Sequence, residues 1–435
     1  MANERHVAGR AHVVCTGCPE NRIDGARMQE TLRASGYEIA SSHDQADLVV
    51  YVSCALTHRT QEHSVEMVRL LRREMRPDAW LIVCGCLPKI NPARLREVYD
   101  GPTFGSDEVD CLASLVGARG DGGRANYLLP RAGMLGPLAR LRTSYEACGP
   151  YLVVTALLDR LYTRRLNAAT TEFRGDAYCI KVSTGCDHHC TYCAVRISRG
   201  AVRSKPIQEV AKEFDEGLLL GHREFALIGT DLGSYGHDRG QTLTDLLDRL
   251  LQRKGDYELR LRNVHPQYII RENAALCDMV RTGHITHIAT ALQSGSDAVL
   301  RRMGRGHRAG EFAEAVAALH EANPRLELRR QVIVGFPGET DAEFEETVRW
   351  IDNSPFEYTE VYLFEARPGT AAEALTNPVP RAVAARRRNR LYTHALWRAI
   401  RNRAGSRLSP KEARRGAGAP RREEVPAIER AAQGE

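Results

Sequence analysis

Thr184-Gly185-Cys186-Asp187-His188-His189-Cys190-Thr191-Tyr192-Cys193 sets three cysteines at the spacing C-x3-C-x2-C. An iron–sulfur cluster of the 4Fe-4S type is commonly held by four thiolates. Here there are three, and no fourth cysteine follows closely. A cluster bound this way keeps one iron with an open position, which is where metal enzymes bind and activate a small molecule. A zinc site and three thiols in a core are the alternatives. Zinc sites more often use paired C-x2-C units with a second pair or histidines downstream. His188 and His189 sit inside the loop, where adjacency to Cys190 makes joint ligation awkward.

The chain around this loop has 435 residues, room for two or three domains. Its 43% apolar and 27% charged content is that of a soluble globular protein. No signal peptide opens it, and no stretch reaches the ~20 apolar residues of a membrane span. The twelve cysteines therefore point to a reducing cytoplasm and to metal rather than to disulfides. The net charge of +6 permits a phosphate-bearing partner without requiring one.

Residues 1–118 read as α/β. Strands are expected at Ala11-His12-Val13-Val14, over 47–52 and at Trp80-Leu81-Ile82-Val83. Between them, 25–35 and 64–75 carry apolar residues at helical spacing, Met28 and Leu32 in the first, Val65, Val68 and Leu71 in the second. Alternating strands and helices imply a doubly wound parallel sheet. The strands end at Cys15-Thr16-Gly17-Cys18, Ser53-Cys54 and Cys84-Gly85-Cys86. Ligands of open parallel sheets bind beyond the carboxyl ends of the strands, so cysteines far apart in sequence would meet at one edge. They would form a second three-cysteine site or, alternatively, buried structural thiols.

Residues 119–175 form a connector. Gly117, Gly120, Gly122 and Gly123 mark a linker, and Leu and Arg then mix at helical spacing. Residues 176–375 repeat a strand–turn–helix unit six times. The polar or glycine-rich turns include Gly229-Thr230-Asp231, His265-Pro266, Gln293-Ser294-Gly295-Ser296-Asp297, Gly335-Phe336-Pro337-Gly338 and Arg367-Pro368-Gly369-Thr370. Six units predict a partial (β/α) barrel with its chemistry at the carboxyl-end face. Residues 376–435 predict a basic amphipathic helix over 381–403, with Leu391, Ala395 and Leu396 as apolar points, and then a disordered tail.

The loop resembles the signature of the radical S-adenosylmethionine (SAM) superfamily, C-x3-C-x-aromatic-C, with Tyr192 at the aromatic position. Ser198-Arg199-Gly200, Ser204 and the turns above, in order, resemble the methylthiotransferase family more narrowly. Gly17-Cys18, Cys54 and Gly85-Cys86 match that family's N-terminal pattern. There are departures: Val52-Ser53-Cys54 for Asn-Thr-Cys, Ala291 for Pro, Gln331 for Asp, extra Cys15 and Cys84, and no residues patterned for the family's C-terminal β-barrel RNA-binding module.

The resemblance implies two 4Fe-4S clusters and SAM. Cys186, Cys190 and Cys193 would hold the SAM-cleaving cluster, whose open iron is chelated by the amino and carboxylate groups of SAM. Cys18, Cys54 and Cys86 would hold an auxiliary cluster carrying the sulfur to be inserted. Tyr192, Gly229, Thr230, Asp231, Gln293 and Ser294 would line the SAM pocket, with no catalytic side chain beyond the clusters. The implied reaction inserts a methylthio group into a C–H bond, with electrons from a flavodoxin- or ferredoxin-type donor. The leading substrate is an anticodon-loop modified adenosine of tRNA. The Thr-Gly-Cys form and Ser204-Lys205-Pro206 lean toward threonylcarbamoyl-adenosine. The alternatives are a peptide or ribosomal-protein side chain and, from another class, a non-catalytic iron–sulfur carrier or RNA-binding module.

Overall fold

The computed structural model describes residues 9–117, 124–132, 177–356 and 358–406. The first sheet contains β1 (Arg10–Cys15), β2 (Glu38–Ile39), β3 (Leu48–Ser53), β4 (Trp80–Gly85) and β5 (Thr103–Gly105). Its order is β2-β1-β3-β4-β5, and every pairing is parallel. Side chains alternate across a strand, so a strand covered on both sides must be apolar throughout. β3 meets this requirement. Val49 and Tyr51 join Val65, Val68 and Leu71 of the helix His58–Glu74 on one face. Leu48, Val50 and Val52 join Met28 and Leu32 of the helix Pro19–Ala34 on the other. Each such side chain contributes roughly 1.5–3 kcal/mol by leaving water.

Cys15 and Cys84 belong to that second face, with Cys84 Sγ 3.8 Å from Met28 Sδ. They are core thiols, and burial pushes Cys15 up to about 12. The structure also departs from the expected bounds. The first helix starts at Pro19 rather than Gly25, and the second at His58 rather than Ser64. β2 and β5 are additional.

The second sheet has six strands among the described residues, every pairing parallel. It comprises β6 (Tyr178–Lys181), β9 (Glu224–Ile228), β10 (Glu258–Val264), β11 (Ile285–Gln293), β12 (Glu327–Val334) and β13 (Tyr358–Leu363). Strands neighbour one another in chain order and the sheet stays open between β6 and β13, the geometry of a partial barrel. Between β6 and β9 lies a small antiparallel pair, β7 (Ser183–Thr184) and β8 (Arg203–Ser204). Its pairing closes the base of the loop that carries Cys186, Cys190 and Cys193.

The helix Pro19–Ala34 belongs to the first sheet and also packs on the second. Ile23 meets Cys179, Ala226 and Ile228, and Asp24 pairs with Lys181. Residues 124–132 of the connector run along the same seam, with Ala132 N donating to Cys15 O at 2.7 Å and Cys179 N to Asn126 O at 2.9 Å. The C-terminal helix spans Arg381–Ser406. It buries Leu391 and Tyr392, and Tyr392 Oη donates to Val361 O at 3.0 Å. The side chains of Ala395 and Leu396, the remaining connector and the tail lie outside the described residues.

Candidate active site

The carboxyl ends of both sheets open onto one cavity of about 400 Å³. Small-molecule sites run from about 300 to 1,000 Å³. Cys18, Cys54 and Cys86 line it from the first sheet, and Cys186, Cys190 and Cys193 from the second.

Each triad is built by local constraints. In the first, the register sets Cys15 beside Val52 and Val52 beside Cys84, so β1, β3 and β4 end level. Gly85 then takes φ +96, and a Cβ there would stand 2.4 Å from Ser53 O. Only glycine lets β4 turn so tightly, bringing Cys86 N to Ser53 O at 3.0 Å. Ser64 pins Cys54 from both sides: its hydroxyl accepts from Cys54 N at 2.9 Å and donates to Cys54 O at 2.8 Å. In the second triad Gly185 takes φ +83, and a Cβ would meet Ala201 O at 2.0 Å. Cys193 N bonds Cys190 O at 3.1 Å, so the loop is wound tightly between them.

The thiols within each triad sense one another. Burial first, and then Cys86 and Cys18, push the Cys54 thiol up to about 12. Burial, Asp231 and then Cys193 and Cys190 raise Cys186 to about 12. Without a metal these are neutral thiols, and a bound cation reverses that balance. Two guanidiniums approach the triads. Arg305 Nη1 lies 3.4 Å from Cys190 Sγ. Arg199 lowers the Cys18 thiol against the burial that raises it.

Among the described residues no three His, Cys, Asp or Glu side chains converge on a single-ion centre. A zinc ion needs four ligands within about 2.0–2.3 Å. Three thiols on each side of the cavity are the donor type of an iron–sulfur cluster. The cavity also has unmet polar atoms: Gln293 Oε1 and His265 Nε2 are buried without a hydrogen-bond partner. His265 Nδ1 accepts from Gln267 N at 3.2 Å, which leaves the proton of the neutral ring on Nε2, a donor. Backbone strain gathers here as well. Asn263 at φ +56 and Gln293 at φ +70 are left-handed non-glycine residues at the ends of β10 and β11, where the ladders slip register. A cavity with orphaned polar atoms and two thiol triads fits two iron–sulfur clusters and a polar small molecule.

Of the other residues expected at the site, Tyr192, Gly229, Thr230, Asp231 and Gln293 line the cavity. Ser294 does not: it is fully buried behind the wall, 3.1 Å from Thr347 Oγ1, and accepts from Ser296 N at 3.1 Å. Its role is to shape the turn. Sequence reasoning gave no function to Glu20, His265, Arg305 or Arg199, all on the cavity wall. Their signal was faint, a charged or aromatic residue beside a recognised turn. Arg262 and Gln331 reach the wall from the sheet interior.

The radical SAM superfamily model matches residues 180–351, and the model described as uncharacterized protein family UPF0004 matches residues 10–103. The chain is 30% identical over 376 residues to the threonylcarbamoyladenosine tRNA methylthiotransferase MtaB of Thermotoga maritima, covering 84% of this chain and 76% of the relative. It is also 30% identical over 386 residues to the ribosomal protein uS12 methylthiotransferase RimO of Thermotoga sp. (strain RQ2), covering 88% and 82%. The solved structure of the radical S-adenosylmethionine methyltransferase TsrM from Kitasatospora setae superposes with a TM-score of 0.58 at 13% identity, covering 84% of this chain and 74% of that one. That last likeness concerns the fold. The sheets, the shared cavity and the two relatives together establish that this chain belongs to the radical SAM methylthiotransferase family, and it is an enzyme.

Proposed function

We propose that this enzyme inserts a methylthio group into a C–H bond of an anticodon-loop modified adenosine in tRNA. The observation that carries the reading is the single cavity shared by two cysteine triads, one from each sheet. Its cofactors are SAM and 4Fe-4S clusters. In this reading residues 176–375 hold the SAM-cleaving cluster through Cys186, Cys190 and Cys193. Residues 1–118 hold the auxiliary cluster through Cys18, Cys54 and Cys86. When bound, these groups supply the radical and the sulfur and methyl chemistry that side chains lack.

The protein supplies placement. Arg199 favours the thiolate form of Cys18, and Arg305 places its guanidinium 3.4 Å from Cys190 Sγ. Gly229, Thr230, Asp231 and Gln293 offer polar atoms to SAM on the cavity wall, where Tyr192 gives an aromatic edge. His188 stacks on His265 at 3.6 Å between centroids, and the neutral ring of His265 presents its Nε2–H to a ligand acceptor. Proximity does most of the catalytic work a protein can add here. The reductant is a flavodoxin- or ferredoxin-type protein.

The MtaB relative and the Thr184-Gly185-Cys186 form support the tRNA substrate. The RimO relative, at the same 30% identity, supports a second reading, a side chain of a ribosomal protein. Mass spectrometry of nucleosides and ribosomal proteins from a deletion strain separates the two. The expected result is the loss of one methylthio-adenosine. Loss of a methylthio group from a protein instead overturns the tRNA assignment. Affinity for tRNA should fall steeply with salt, because phosphate contacts release counterions.

A further inference from the structure

A chain of hydrogen bonds and one ion pair joins the two cysteine triads. Gly185 N, next to Cys186, donates to Thr230 Oγ1 at 3.0 Å. Thr230 Oγ1 donates to Glu20 Oε1 at 2.8 Å. The same carboxylate oxygen forms an ion pair with Arg199 Nη1 at 2.8 Å. Arg199 Nη2 donates to Asn21 Oδ1, and Asn21 Nδ2 donates to Ser53 O at 2.9 Å, one residue before Cys54. Cys86 Sγ stands 3.8 Å from Asn21 Oδ1. Cys18 caps the helix that carries Glu20 and Asn21.

The chain is largely buried, with Thr230 half-buried at the cavity, and charge-balanced. Arg199, Asn21 and Glu20 are 1%, 0% and 6% exposed. Arg199 also pairs with Asp24 at 3.1 Å, and Lys181 pairs with Asp24, so two carboxylates meet two cations. Buried ion pairs add little net stability relative to well-packed apolar groups. A fully satisfied polar network is better suited to fixing one arrangement out of several. The arrangement fixed here is the placement of one triad against the other. The bonds cross the junction between the sheets, since Glu20, Asn21 and Ser53 belong to the first unit, and Gly185, Arg199 and Thr230 to the second.

We propose that Glu20, Asn21 and Arg199, linked through Thr230, are positioning residues that hold the two triads at one separation across the cavity. With both clusters bound, a substrate carbon that has given up its hydrogen on the loop-triad side would then face the sulfur-bearing triad instead of being quenched. The inference rests on the two-cluster reading above.

The test uses full-length enzyme, reconstituted anaerobically, as wild type and as Asn21→Ala and Arg199→Lys. Three quantities are read: iron per chain, magnetic coupling between the two reduced clusters by electron paramagnetic resonance, and 5′-deoxyadenosine formed per methylthio group inserted into unfractionated tRNA. Asn21→Ala is expected to keep its iron, weaken the coupling and raise the ratio about tenfold or more, since misplacement by about 1 Å can cost 10²-fold. Arg199→Lys keeps the charge but loses the guanidinium fork, and should fall between. If either variant loses iron, Glu20→Gln, which keeps the side-chain shape, decides by the same coupling and ratio. Wild-type coupling and ratio in iron-replete variants overturn the bracket. Wild-type protein that saturates near one cluster overturns the two-cluster reading instead.

Discussion

The two cysteine triads reach the same cavity by opposite routes. Cys186, Cys190 and Cys193 lie within one loop closed at its base by β7 and β8. Cys18, Cys54 and Cys86 come from three strand ends and meet only because the register of β1, β3 and β4 is level. The loop triad is a local structure held by a few turns, while the other exists only once a whole sheet has formed. Damage near the loop should therefore stay local, and damage near the strand ends should spread into stability.

The largest effect should come from the ligands. Cys190→Ala is expected to abolish SAM cleavage, read as 5′-deoxyadenosine. Cys54→Ala should leave cleavage and stop sulfur insertion. A Cys54→Ala enzyme that still forms methylthiolated product would remove the distinction between the triads.

Gly185→Ala and Gly85→Ala come next and test the contrast directly. Both glycines precede a cysteine, and both have left-handed backbones that an L residue enters at a cost of about 1–2 kcal/mol. A Cβ would meet backbone at both, Ser53 O between paired strands of the sheet for Gly85 and Ala201 O within the loop for Gly185, so the two clashes differ in what they disturb. Gly85→Ala should lower the denaturation midpoint clearly and cost about four irons, one cluster's worth. Gly185→Ala should shift the midpoint less and lose SAM cleavage. Equal midpoint losses would show that the loop is as integral to the fold as the strands.

Ser64→Ala is a milder version. It removes the hydroxyl that holds both backbone ends of Cys54, at about 1–3 kcal/mol for the unmet groups. Iron from the strand-end triad should become more labile to a chelator, with the loop triad unchanged.

The same contrast governs what the sequence revealed. The loop triad was legible because its spacing is contiguous, and the six strand–turn units were legible because each carries an apolar run and a punctuating turn. The rule that parallel sheets gather their carboxyl ends could bring the strand-end cysteines to one edge, but it left structural thiols as an equal reading, and only the family resemblance singled out Cys18, Cys54 and Cys86. β2 and β5 escaped notice, being too short to show a pattern. So did the first turn of the helix Pro19–Ala34, for a different reason. Glu20, Asn21 and Asp24 break its apolar periodicity, and they are buried because Arg199 and Lys181 approach from the other unit. That pairing is tertiary, and no local window contains it. Ser294 failed in the other direction, since a polar turn residue can serve its own turn.

The smallest prediction concerns acid, and it separates the sheets by their interiors. The first sheet is apolar on both faces, whereas the second carries Arg260, His287 and Arg329 inside. Burial first lowers His287 to about 4, with Glu327 opposing and Arg260 and Arg329 assisting. The unfolded ring takes a proton near its ordinary 6.5, and the folded ring resists until about 4. Stability contributed by the neutral ring is therefore full above 6.5, falls as pH drops through that window and levels below about 4. At pH 5 the loss is at most about 2 kcal/mol, at 1.36 kcal/mol per unit. Burial lowers His265 and His307 in the same direction, and both belong to the second sheet's unit. His12 and His63 of the first are lowered too, but each is only half-buried in its surroundings. Hydrogen exchange of the metal-free full chain at pH 7 and pH 5 should thus show β10–β12 losing protection before β1, β3 and β4. His287→Asn should flatten the pH slope by up to one proton, and an unchanged slope would mean that the charged interior is wet enough for the imidazole to titrate as it does in water.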